Sequence, residues 1–207
     1  MEENKTITST TPTKNSGEPR QDKKDSWWDI VKFVLITLAI VIPIRAFVAQ
    51  PFIVSGLSMY PTFNNSDYLI VDELSYHLRT PARGEVIIFE YPLDPAKYFI
   101  KRVIGLPGEI VRISGSQISI SADGKTFRYT EYYLSKGVTT NPAVVRTLGP
   151  DEYFVLGDNR KDSFDSRYWG VLNIKYIKGR AYLRLFPLTQ IGYLPGNYNW
   201  QEGSNGE

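Results

Sequence analysis

The sequence contains no cysteine, which excludes disulfide bonds, thiolate metal sites and cysteine nucleophiles together. It contains one histidine, His77, so a metal site of clustered imidazoles is excluded as well, and no metal or other cofactor is expected. A hydrolytic nucleophile in this chain would need a base other than the usual histidine. Charge of one sign is also lacking: 24 Lys and Arg against 22 Asp and Glu leave a formal net charge of +2. Nothing in that balance points to a nucleic-acid surface. What is abundant is aromatic and turn-forming residues, with 14 Tyr, 10 Phe, 4 Trp, 16 Gly and 13 Pro in 207 positions. That is the composition of a turn-rich β protein, and it is too apolar for disorder.

Residues 1–25 are polar and without apolar periodicity, and read as a disordered tail. Ser26 with Asp29 three residues on forms a helix-capping pattern. From Ile30 to Ala49 every residue is apolar except Lys32, Thr37, Pro43 and Arg45. About twenty helical residues span roughly 30 Å, the thickness of a bilayer core. Trp27 and Trp28 stand where an interfacial aromatic belt belongs, and Lys32 and Arg45 are near enough to the ends to snorkel. A buried core helix would show a polar face, and a cleaved signal peptide would not carry so long a polar leader. The expectation is therefore one transmembrane helix over residues 26–50. Lys5, Lys14, Arg20, Lys23 and Lys24 place the N-terminus in the cytoplasm by the positive-inside rule, and the rest of the chain on the outer face.

Beyond Pro51 the chain reads as strands. The β-branched and aromatic runs are 52–54, 68–71, 86–89, 98–104, 110–113, 117–120, 153–156 and 181–186. Asp123-Gly124 is a hairpin turn signal between 118–120 and 127–129. With no βαβ alternation and no internal repeat, the expected fold is mostly β: an antiparallel barrel or coiled-sheet domain over residues 51–195. A polar tail follows from residue 196 to 207.

Three segments interrupt this background. Ser55-Gly56-Leu57-Ser58-Met59-Tyr60-Pro61-Thr62 follows an apolar strand, and on its own is a turn. In the run from Tyr98 to Glu109, strict alternation puts Lys101 on the face of Phe99 and Val103. A lone lysine there is either an edge-strand guard or an amine in apolar company. Gly157 to Arg167 is a hydrophilic loop rich in charges. Chemistry joins the three only if Lys101 is a base. Burial lowers a lysine pKa from about 10.4 by as much as 3–5 units. A neutral amine then takes the proton of a serine hydroxyl. Such an amine needs a hydroxyl to orient it and no carboxylate in contact, and Ser163 is a candidate for that hydroxyl.

Four boxes occur in one order: Ser58-Met59-Tyr60-Pro61-Thr62; Arg83-Gly84-Glu85-Val86-Ile87-Ile88-Phe89; Lys101-Arg102-Val103-Ile104-Gly105-Leu106-Pro107-Gly108-Glu109; and Gly157-Asp158-Asn159-Arg160 through Asp165-Ser166-Arg167. Together, behind an anchor, they resemble the type I signal peptidases from about Trp27 to Phe186. The resemblance implies a serine endopeptidase of the plasma membrane that removes signal peptides from secretory preproteins, with the lipid bilayer as its other partner. It implies Ser58 as nucleophile, Lys101 as general base and Ser163 as the hydroxyl that orients the lysine. Asp158, Arg160, Asp165 and Arg167 match the loop that supports the active-site strands. Phe52, Val54 and Ile100 match the shallow pockets for small side chains at substrate positions −1 and −3. Residues 112–150 match a variable insertion, here a small β hairpin. Some relatives carry an oxyanion-binding serine where this chain has Gly56, so a second donor is expected from a water on the Gly56 backbone or from Ser55. The family's Arg-Asp-Asn-Ser is here Arg160-Lys161-Asp162-Ser163, which moves the negative charge. His77 lies outside every box and reads as a surface or packing residue.

Two other classes compete. A self-cleaving Ser–Lys repressor would have a DNA-binding helical domain where this chain has its apolar helix. A non-catalytic anchored β module that binds extended peptides would have no use for Ser58, Lys101 and Ser163 together.

Overall fold

The structure is a computed structural model and describes residues 23–47, 49–129, 131–135 and 137–198. The expected tail over residues 1–25 lies almost wholly outside the described residues, as does the end of the polar tail from residue 199. The chain divides into two units within its first helix, at Val41 and Ile42. That helix, α1, runs Lys23–Phe47 over 25 residues. Its described side chains extend from Trp27 to Ile42 and are exposed but for one, with Lys32 and Asp29 paired at 3.6 Å. Among the described residues no helix is long and apolar enough to cross a membrane. The Ser26 cap and the Arg45 end of the expected anchor lie outside the described side chains.

The second unit is built of antiparallel strands. In chain order they are β1 Ala49–Ile53, β2 Tyr68–Asp72, β3 Val86–Tyr91, β4 Asp94–Gly105, β5 Ile110–Ser114, β6 Gln117–Ala122 and β7 Lys125–Tyr129. They continue as β8 Val144–Thr147, β9 Glu152–Leu156, β10 Leu172–Asn173, β11 Ile177–Phe186 and β12 Gly192–Tyr193. Short helices α2 Ser75–Leu78 and α3 Ser166–Trp169 interrupt them. The larger sheet has the order β1-β2-β11-β3-β4-β9-β10, with β12 on β11; the smaller has the order β7-β6-β5-β8.

The barrel expectation is corrected: neither sheet closes. A barrel needs a continuous ladder around its circumference. Among the described residues β1 pairs only with β2, and β10, two residues long, pairs only with β9, so the sheet ends do not meet. Pro51 sits in β1, and an edge strand is where a residue without an N–H is tolerated. The insertion is also larger than the hairpin expected. That hairpin is present, with Asp123 and Gly124 at φ +49° and +75° joining β6 to β7. However, β5 and β8 extend it to four strands.

The feature that positions the site is the mismatch in length around β4. This strand of 12 residues pairs with β3 along most of its length, but with β9 only from Arg102 onward. The stretch Tyr98–Lys101 therefore keeps one edge unpaired. Its two faces bury different cores. Ile100, paired with Ile88, packs with Phe52, Val54, Met59, Phe63 and Leu69. Phe99, paired with Phe89, packs with Ile87, Val103 and Trp169.

Candidate active site

The chain leaves β1 through Val54, which is pinned by backbone hydrogen bonds to Asp67 and from Ser66. The loop that follows is anchored by Met59 and Phe63, both essentially inaccessible. Between these pins Gly56 takes φ +93°, a conformation that L side chains rarely adopt, and its N–H donates to Asn65 Oδ1 at 2.9 Å. The loop thereby presents Ser58 to the open edge of β4.

Lys101 Nζ lies 2.7 Å from Ser58 Oγ and 2.9 Å from the Ile100 carbonyl. The side chain is 4% exposed and its nitrogen lies 5.2 Å from the Phe99 ring centroid, so the alternation read from the sequence holds. Burial pulls the Lys101 pKa down from 10.5 to about 8, against the opposing pull of the Asp165 and Asp158 charges. Neither carboxylate is left bare. Asp158 accepts from Arg102 Nε at 2.8 Å and Nη2 at 2.6 Å, and Asp165 accepts from Arg167 Nε at 2.7 Å and Nη2 at 2.8 Å.

The loop after β9 forms the wall behind this pair. A Cβ on Gly157 would lie 2.4 Å from the Ser58 carbonyl oxygen and 2.1 Å from Ser163 Oγ, so only glycine lets the loop and the Ser58 backbone meet. Asn159 ties them, its N–H donating to the Ser58 carbonyl at 3.0 Å and its Nδ2 to Leu57 at 3.1 Å. Asp165 caps α3 by accepting from Arg167 N–H and also holds the Gly157 N–H at 3.0 Å. Arg160 bonds the Gly157 carbonyl at 2.9 Å and Thr140 Oγ1 at 2.8 Å, and pairs with Glu131. Ser163 is buried in this wall, yet its Oγ has no hydrogen-bond partner; the bond to Lys101 expected of it is not formed.

An open cavity of about 330 Å³ joins these parts, with Phe52, Val54, Gly56, Ser58, Ile100 and Lys101 in its lining. Phe52, Val54 and Ile100, expected to form the substrate pockets, are thus brought together with Gly56, Ser58 and Lys101. Asp158, Arg160, Asp165 and Arg167 stand behind them, buried. His77 is exposed on α2, with its Nδ1 3.1 Å from the Glu73 carbonyl oxygen. Among the described residues no cluster of three or more His, Cys, Asp or Glu could hold a metal ion.

Three participants are given no role by the sequence reading. Arg102 is fully buried, and alternation alone puts it in the opposite core from Lys101, where it needs a carboxylate; Asp158 is that partner. Thr62 Oγ1 donates to Asp158. Glu131, the partner of Arg160, comes from the smaller sheet's connections, and no motif signals it.

A serine hydroxyl against a desolvated lysine amine is one of the recurring arrangements of hydrolytic nucleophiles, and a serine hydrolase is the class this site defines. A family model described as "Signal peptidase, peptidase S26" matches residues 27–186, and the chain belongs to that family. The chain is 37% identical over 193 residues to a probable signal peptidase I-2 of Synechocystis, covering 88% of this chain and 86% of that one. It is 35% identical over 197 residues to a signal peptidase I of Leptolyngbya laminosa, covering 90% and 94%. A crystal structure of a signal peptidase I from Enterococcus faecalis V583 matches with 30% identity and a TM-score of 0.41, over 49% of this chain and 97% of that one.

Proposed function

We propose that the chain cleaves signal peptides from exported preproteins with Ser58 as nucleophile and Lys101 as general base. The observation that carries this is the 2.7 Å approach of Lys101 Nζ to Ser58 Oγ with burial holding the amine pKa near 8. The neutral amine accepts the hydroxyl proton as Oγ bonds to the scissile carbonyl carbon. The resulting ammonium returns that proton to the departing amine, leaving an acyl-enzyme. Lys101 then deprotonates the water that hydrolyses the ester.

The substrate lies extended beside the open Tyr98–Lys101 edge of β4, adding a strand to it. Side chains at −1 and −3 then turn toward Phe52, Val54 and Ile100 in the cavity wall, and small groups are selected there. The Ser58 N–H, which donates to no protein acceptor among the described residues, faces the developing oxyanion. The Gly56 N–H is taken by Asn65, and the open space beside the Gly56 Cα accommodates a water as second donor. Helix α1, which ends at Phe47 rather than at the expected residue 50 because Ala49 and Gln50 belong to β1, holds the chain in the plasma membrane, N-terminus in the cytoplasm, as the apolar run and the basic tail support.

The test is a preprotein series with Ala or Leu at −1, assayed across pH with product mass spectrometry. Cleavage after Ala is expected, with kcat/KM rising about tenfold per pH unit until it levels off above pH 8, because only the neutral amine is a base. Equal turnover with Leu, or a profile flat between pH 6 and about 9, would remove this reading.

Ser163 is assigned as a positioning residue, its buried, unpaired hydroxyl turning to the Lys101 amine once substrate excludes water. An unsatisfied buried hydroxyl costs about 1–3 kcal/mol. Ser163→Ala is therefore expected to match or exceed the wild type in thermal stability while losing about tenfold or more in kcat. Unchanged kcat would show that the hydroxyl has no part in the reaction.

A further inference from the structure

We propose that Asp162 and Phe164 form a charge-selective subsite for substrate side chains at −2 and +1, favouring arginine and lysine and rejecting glutamate and aspartate. The inference rests on the reading that substrate lies extended along β4 with Ser58 as nucleophile.

The two faces of β4 argue for it. An extended chain that points −1 and −3 toward Ile100 must turn −2 and +1 toward the opposite face, because strand side chains alternate. That face is the one that carries Phe99. Tyr91 stacks on Phe99 with ring centroids 4.7 Å apart, and Phe164 meets Tyr91 at 6.0 Å. Phe164 in turn stacks with Tyr168 at 5.8 Å. The outer two rings of this ledge stand in solvent, Phe164 51% and Tyr168 55% exposed. Exposed aromatic faces beside a reaction centre have apolar and cation-binding surface to offer a ligand.

Asp162 adds the sign of the charge. Its residue is exposed and lines the cavity together with Phe164, Ser58 and Lys101. Among the described residues the only side-chain hydrogen bond to its carboxylate is a long one, 3.5 Å, from Asn159 Nδ2. It forms no ion pair with Lys161 or any other cation among the described residues. Every other acidic group on this loop is neutralised by an arginine. The cleft thus holds one uncompensated carboxylate next to an exposed ring. A guanidinium fits both at once, lying over the ring while donating to the carboxylate.

The experiment uses the full chain in detergent and a preprotein with Ala fixed at −1 and −3. Arg, Lys, Gln or Glu is placed at +1 and, separately, at −2. The expected wild-type ratio of kcat/KM for Arg over Glu is about tenfold at low ionic strength, shrinking as salt is raised. Asp162→Asn keeps an acceptor for Asn159 and removes the charge, so the ratio should fall to near one. Asp162→Lys should invert it. Phe164→Leu should lessen the advantage of Arg over Lys. A wild-type ratio within twofold of one at both positions, or a ratio unchanged in Asp162→Asn, overturns the subsite. Cleavage that survives Ser58→Ala would instead overturn the reading on which it rests.

Discussion

Ser58→Ala is expected to lower preprotein cleavage by about 10⁴-fold or more, Lys101→Met by a similar factor, and the double variant by no more than either alone. The reason for the non-additivity is the shared hydrogen bond of 2.7 Å. The hydroxyl is inert without the amine, and the amine has nothing to deprotonate without the hydroxyl. Whatever rate survives comes from binding and oxyanion donors, which neither substitution removes. Folding should respond differently. A pKa held near 8 against 10.5 in the unfolded chain means that, below pH 8, the native state carries an ammonium it solvates poorly, at a cost of about 3 kcal/mol. Between pH 8 and 10.5 the unfolded chain binds more protons than the native one, so wild-type stability rises with pH across that window. Lys101→Met is therefore expected to be at least as stable as wild type at pH 7, with its advantage fading toward pH 10.5. Single-turnover assays and denaturant unfolding at two pH values check both halves. Additive losses in the double variant would show that the two side chains act separately.

Removing Arg102 is expected to damage the protein more than any other single change to the support of the site. Its guanidinium is wholly buried, grips both oxygens of Asp158, donates to the carbonyls of Gly84 and Gly196, and lies 4.0 Å from the Tyr133 ring centroid. Arg102→Met leaves the Asp158 carboxylate buried with Thr62 Oγ1 as its side-chain donor. Breaking a buried pair from one side costs about 3–5 kcal/mol, which lowers Tm by roughly 6–20 °C in a chain of this size. Arg102→Met with Asp158→Asn should recover part of that loss, since no charge is then stranded. The single variant also bares the Asp158 charge, which acts on Lys101 to raise its pKa. The pH at which activity levels off should thus move upward in Arg102→Met and not in the double variant. Thermal unfolding by circular dichroism and the pH profile read these two effects. A Tm within about 3 °C of wild type would show that the pair contributes little.

How much of this was legible in the sequence follows from the range of the interactions concerned. The strands at 86–89, 98–104 and 153–156 announce themselves because a run of β-branched and aromatic residues has few other places to go. Lys101 among Phe99 and Val103 is a local fact of period two. Ser58 stood out through its box, and the loop of Asp158 and Asp165 through its density of charge. The rest depends on the return of distant chain. Arg102 and Asp158 are 56 positions apart, and Arg160 and Glu131 are 29 apart, so no local pattern encodes either pair. Strand β8 is four residues between Pro142 and Gly149 and exists because β5 offers it an edge. Sheet closure is likewise invisible locally: alternation says which way side chains face, not whether the last strand reaches the first. The unpaired Ser163 hydroxyl could not have been read at all, since a serine in a polar loop gives no sign that its neighbours will leave it dry.

The unpaired Tyr98–Lys101 edge of β4 has a consequence for turnover. A ladder of backbone groups grips any extended segment, and most of the grip on the signal-peptide side is unchanged when the bond after position −1 is cut. In the proposed binding mode the released fragment keeps its small side chains, its strand conformation and its fit to Phe52, Val54 and Ile100. It therefore competes with the next preprotein for the same edge. Chemistry at Ser58 can be fast while the cycle as a whole waits for the spent peptide to peel away. The rate in a closed vesicle should then fall as product accumulates, well before substrate runs out, and recover when an added protease digests the fragment.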